Sequence, residues 1–232
     1  MNGRCFWLEA LFPAIISLSI VKVCSMVNLA TVGQYQGAKG RAPLAEVAPL
    51  WNIVYSIGLW GIDGSVLYSE AKGKGCDKQE RNRFFTTALI ITLALLLAFC
   101  GVFVFFIGQI LTFFGANENL IPLCEQHVLP ILFALPVFGI DQFLGAFLGK
   151  DDNPNLAMGA VLGGGTFNVV GNYVFVFNLG VFGAGLATAI ESVTTLLIKA
   201  VLYTKTLPYV GREKNGNRLY RSFFLRRHLS YE

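Results

Sequence analysis

Five side chains in apolar surroundings carry the chemistry this chain can offer: Lys22, Glu191, Asn28, Asn168 and Asn172. An ionisable group at the centre of a helix in hydrocarbon costs at least ~2.5–3.5 kcal/mol, so each needs a partner or a wet cavity. Lys22 and Glu191 have opposite charge at matched depth, counted at ~1.5 Å per helical residue. This predicts an ion pair or a shared site, serving either to fix packing or to handle a proton or substrate. Asn168 and Asn172 are one turn apart and share a face. Asn28 stands at nearly the depth of Asn172, so three carboxamides are expected to come together, as a site or as hydrogen bonds between helices. Lys199 is expected to snorkel from an inner helix end. Asp63 and Asp141 are expected at solvated inner ends, and Glu46, Glu125 and His127 near the outer surface.

Six apolar segments must position these groups: 6–32, 44–68, 84–114, 120–148, 156–179 and 184–203. Each reaches the ~20 residues that cross ~30 Å of hydrocarbon as an α-helix. Without water every backbone N–H must be satisfied within its own segment, which selects helices over open strands. The expectation is an all-α polytopic membrane protein. Its six-helix bundle occupies 1–205, with a basic cytoplasmic tail or linker over 206–232. Within the fifth segment, Gly163, Gly164 and Gly165 allow close helix approach and also weaken the helix. Pro13, Pro130 and Pro136 predict further breaks.

The loops give the orientation. Fourteen of the 18 Lys and Arg fall on one side, chiefly after the second segment and after the sixth. Short loops rich in Lys and Arg stay in the cytoplasm, so both termini are expected there. The 14% charged content, below the ~25% usual in soluble proteins, removes the case for a nucleic-acid partner. Five cysteines without ligand spacing give no metal site, and no catalytic or phosphate-loop motif marks an enzyme. In the tail, Leu219, Tyr220, Phe223 and Phe224, flanked by Arg221, Arg226, Arg227 and His228, read as a surface helix or as a linker.

Four stretches resemble the multidrug and toxic compound extrusion (MATE) family, in particular its NorM/DinF-type antiporters. They are Met26-Val-Asn-Leu-Ala-Thr-Val-Gly33 with Gln34-Tyr-Gln-Gly-Ala38, Tyr68-Ser-Glu-Ala-Lys-Gly-Lys-Gly75, Phe147-Leu-Gly-Lys-Asp-Asp-Asn-Pro154, and Asn168-Val-Val-Gly-Asn-Tyr-Val-Phe175 with Gly183-Ala-Gly-Leu-Ala-Thr188. The resemblance implies the N-terminal six-helix lobe of a secondary transporter, exporting organic, often cationic compounds in exchange for H⁺ or Na⁺. It implies no cofactor, a small organic substrate, the lipid bilayer and a second six-helix lobe as partners, and a bacterial inner membrane. Asn28 and Asn172 stand where the family commonly has Asp. A carboxamide cannot titrate, which leaves Glu191 as the deep carboxylate. The competing readings are a non-transporting scaffold or inactive truncated product, and a lipid-linked glycan flippase, which would need a cationic cavity.

Overall fold

The computed structural model describes residues 3–150 and 154–210. The six apolar segments appear as four helical runs: α1 (Gly3–Gly73), α2 (Lys78–Phe113), α3 (Ile121–Lys150) and α4 (Pro154–Val210). All four are long and apolar enough to cross a membrane. The first two segments join in α1 and the last two in α4. Each join is a single glycine, Gly37 (φ 65°, ψ −153°) and Gly180 (φ 62°, ψ −136°). That combination of angles is open only to a residue without Cβ. A milder irregularity lies at Phe106 in α2.

Both glycine breaks reverse the chain. In α4, side chains added at Gly183, Gly171, Gly164 and Gly163 would meet Phe175, Ala187, Thr195 and Ile198 respectively. These pairs step outward symmetrically from Gly180, so the two arms of α4 lie antiparallel. Gly163–Gly165 therefore serve close packing and not bending, since the helix runs through them unbroken. In α1, Gly33 faces Arg41, and Val32 and Leu44 share an apolar cluster with Val176, Val181 and Ala184. The expected breaks at Pro13, Pro130 and Pro136 are absent, as α1 and α3 continue through them. Neighbouring groups in a bundle can re-satisfy the carbonyls a proline leaves free.

The α2 helix packs on α1 and α3 and not on α4, which leaves it at the edge with Ile90, Leu97, Phe105 and Phe113 exposed. Its inner side fills the main core: Phe103 and Leu111 against Val47 and Leu50 of α1 and Val128 and Leu132 of α3. Tyr68, Phe85, Phe143 and Phe147 stack edge-to-face and tie α1, α2 and α3 together at the opposite end from the glycine breaks. An apolar void of about 20 Å³ beside Trp51, Phe99 and Phe103 is far too small for an organic substrate. Residues 151–153 and the tail from 211 on, with its amphipathic stretch, lie outside the described residues.

Candidate functional site

The arms of α4 build a polar strip inside the bundle. Asn172 Nδ2 donates to Asn168 Oδ1 at 2.9 Å and to the Asn168 backbone carbonyl at 3.0 Å. Glu191, on the other arm, lies close enough to the Asn168 side chain to interact with it. Both asparagines are fully buried. The strip is unfinished, because Asn172 Oδ1 accepts no hydrogen bond and neither does the buried Asn28 Oδ1. A buried acceptor left without a donor costs about 1–3 kcal/mol.

Asn28 belongs to this level by register. The first arm of α1 runs alongside the first arm of α4, with Ile20 and Cys24 against Gly165, Val32 against Val176 and Tyr35 against Phe177. This spacing puts Asn28 beside Gly171 and Asn172. The Cys24 thiol donates to the Gly165 carbonyl at 3.7 Å, fixing the same register lower down. Asn28 is thus level with Asn172, as their depths suggested, with Asn168 one turn away along α4.

The expected ion pair between Lys22 and Glu191 does not form. Lys22 is exposed on the side of α1 away from α4, and no ion pair joins it to a described carboxylate. Matched depth is a statement about one axis only, and the two groups point in different directions around their helices.

The interior ion pair is a different one. Lys199 Nζ stands 2.8 Å from Asp141 Oδ1 and donates to the Asp141 backbone carbonyl at 3.0 Å. Lys199 is 3% exposed and Asp141 6%. Lys199 does not snorkel, and Asp141 is not at a solvated end. Gly145 makes room for the ammonium, since a Cβ there would sit 3.0 Å from Nζ. His127 is likewise buried and not wet, with Nδ1 donating to the Val181 carbonyl at 3.3 Å. Asp63 is exposed as expected.

Glu191, Thr195 and Lys199 follow at intervals of four on one stripe of α4, with Ser192 and Thr195 also buried. The i, i+4, i+8 spacing was the signal in the sequence for a shared inward face. The partner Asp141 carried no such signal, being 58 residues away.

Long apolar helices, doubled back at glycines around buried polar groups, make the described residues an integral membrane protein. The MatE family model matches residues 13–174, and the chain belongs to that family. It is 26% identical over 208 residues to the Probable multidrug resistance protein YoeA of Bacillus subtilis (strain 168), covering 84% of this chain and 43% of that protein. Among solved structures, a multidrug resistance MATE family transporter of the MOP superfamily in an outward-facing conformation superposes with a TM-score of 0.77. Its identity is 21%, with 85% of this chain and 44% of that one covered. A MATE protein in a bent conformation gives 0.75 at 20% identity, covering 87% and 44%. The chain spans under half the length of the relatives it matches.

Proposed function

We propose that this chain forms one six-helix lobe of a secondary transporter that exports amphipathic organic molecules in exchange for H⁺ or Na⁺. The observation that carries this reading, beyond family membership, is the strip Glu191–Asn168–Asn172 with its two empty acceptors. Asp141 is neutralised by Lys199, so Glu191 is the deep carboxylate left without a cation among the described residues. Protonation relieves the cost of a charge in that position, and so does a bound Na⁺. Asn28 Oδ1 and Asn172 Oδ1 are neutral oxygens of the kind hard cations take. Where relatives commonly place Asp, these amides hold position and supply lone pairs but carry no exchangeable proton.

Alternating access moves one repeat against another around a site near the midplane. A second six-helix lobe supplies the other wall, and the first lobe alone moves nothing. The charge bias of the loops supports cytoplasmic ends in a bacterial inner membrane, with 206–232 as a connecting or surface segment.

The test is efflux of an amphipathic dye from cells carrying residues 1–232 with or without a matching second lobe. We expect no efflux above empty vector for the chain alone, and ion-gradient-dependent efflux with the second lobe. Glu191→Gln abolishes the gradient dependence and Glu191→Asp keeps it. Full gradient dependence in E191Q removes Glu191 from the mechanism, and no efflux under any pairing leaves a non-transporting scaffold.

A further inference from the structure

On the side of the Asn168–Glu191 strip away from the glycine turns, further polar groups are buried: Asp141, Ser192, Thr195 and Lys199. Here α3 and the second arm of α4 run side by side in one direction. Gly185 lies against His127 and Lys199 against Asp141, each pair 58 residues apart. That register puts Thr195 level with Val137 and Phe138, between the level of Glu191 and that of the Asp141–Lys199 pair. Tyr55 of α1 packs edge-on against Phe138, with ring centroids 5.3 Å apart, and so enters at the level of Thr195.

These groups lie close together as well as level. The Tyr55 hydroxyl is within electrostatic reach of both Glu191 and Asp141, and Glu191 is within reach of Asp141. Thr195 is four residues from Glu191 and four from Lys199, so its side chain neighbours both. On the same helix Thr188 and Ser192 each donate to the carbonyl four residues back, whereas the Thr195 hydroxyl makes no hydrogen bond among the described residues. Cys24 also faces Glu191, but its thiol is engaged by the Gly165 carbonyl. On the other side of Glu191 stand only carboxamides, which do not titrate. Three helices thus contribute one column of exchangeable protons, Glu191, then Tyr55 and Thr195, then Asp141 with Lys199, through an otherwise apolar lobe.

We propose that Tyr55 and Thr195 relay protons between Glu191 and the Asp141–Lys199 pair, making this column the route by which Glu191 exchanges protons with the end of the bundle away from the glycine turns. The route rests on the transport reading and names H⁺ as the ion that Glu191 handles. In one passage protonated Glu191 gives its proton to a hydroxyl oxygen, and that hydroxyl passes its own proton to the Asp141 carboxylate. The hydroxyl is left as it began, and one proton has moved from Glu191 to Asp141. A protonated Asp141 leaves the buried Lys199 ammonium uncompensated, which is costly, so the pair hands the proton on to water instead of keeping it. Lys199 is a positioning residue, holding Asp141 through its carboxylate at 2.8 Å and its backbone carbonyl at 3.0 Å. A Na⁺ ion cannot travel by exchange of hydroxyl protons.

Time-resolved infrared spectroscopy after a pH jump, on the full chain in phosphatidylcholine nanodiscs, follows the carboxyl C=O band of Glu191. Glu191→Gln identifies that band by removing it. The double variant Tyr55→Phe with Thr195→Val keeps the ring and the branched shape but neither hydroxyl. It is expected to reach nearly the wild-type end point about a hundredfold more slowly, the low end of what a positioned proton partner contributes. Each single variant slows the band by a smaller factor, and Thr195→Ser, which keeps the hydroxyl, retains the wild-type rate. A wild-type rate in the double variant overturns the route and leaves Glu191 as the carrier. A shifted end point at an unchanged rate means that the two hydroxyls only tune Glu191, and it overturns the route as well. No titrating band that disappears in E191Q takes the proton from Glu191 altogether, and with it both the route and the H⁺ form of the transport reading.

Discussion

The chain makes the same helical hairpin twice and finishes it differently each time. Gly37 and Gly180 have nearly the same backbone angles and reverse α1 and α4 in the same way. In α4 the arms close on glycines, with Gly164, Gly171 and Gly183 each directly against the opposite arm, and its lysine is drawn inside onto Asp141. In α1 Gly33 meets the movable side chain of Arg41 near the turn, and Lys22 stays outside. The turn sets the topology. The seam decides whether a hairpin is a structural post or an accessible face.

The largest contrast expected is between the two lysines. Lys199→Met leaves Asp141 buried without its cation and should cost about 3–5 kcal/mol, whereas the pair Asp141→Leu with Lys199→Met should recover most of that. Lys22→Met, at an exposed position, should fall within about 0.5 kcal/mol of wild type. Unfolding in mixed micelles reads all of these. A Lys199→Met protein as stable as Lys22→Met would mean that the ion pair does not hold α3 to α4.

The glycines sharpen the same comparison at a smaller scale. Gly183→Ala drives a Cβ into the backbone of Phe175, which cannot move aside, and should cost about 1–3 kcal/mol. Gly33→Ala in α1 meets only the outer part of the Arg41 side chain, which can swing away, so its cost should be under about 1 kcal/mol. Gly37→Ala has open space around it, and only its φ is wrong, so about 1–3 kcal/mol lost there would measure the turn without the seam. Equal costs at Gly183 and Gly33 would erase the distinction between the hairpins.

The smallest effect lies in the turn between α1 and α2. Desolvation and then the hydrogen bond and charge of Glu80 push the Cys76 thiol above its ordinary value. A raised pKa means less thiolate at a given pH, so alkylation should reach half its maximal rate at a higher pH than for an unperturbed thiol. Glu80→Gln should bring that midpoint down. An unshifted pH–rate curve in E80Q would remove Glu80 from the account.

The membrane class, the helical character and the family were legible because length, hydropathy and motif order survive without knowledge of direction. The polar groups were legible in depth only. Depth put Asn28 level with Asn172, and the register of α1 against α4 repeats that level. Depth paired Lys22 with Glu191 wrongly, although Lys22 falls in the stripe of Leu18, Met26 and Leu29, a sign of an outward face. Asp141 and Lys199 were read as solvated because each is near an inner end, and nothing local says that α3 and the second arm of α4 meet there. The joins were legible as gaps between apolar segments but not as single-glycine reversals, because Gln34, Gln36, Lys39 and Arg41 read as a loop although they lie within helix.

Those one-residue reversals bear on how the chain enters the bilayer as it leaves the ribosome. An arm that crosses first carries the start of the next arm across with it, because no slack connects them. The two arms of α1, and likewise those of α4, are thus delivered as paired units, each inserted only when both halves have been synthesised. The membrane face on which both turns lie carries scarcely any loop from either pair, leaving little there for a protease, an antibody or a modifying enzyme to grip.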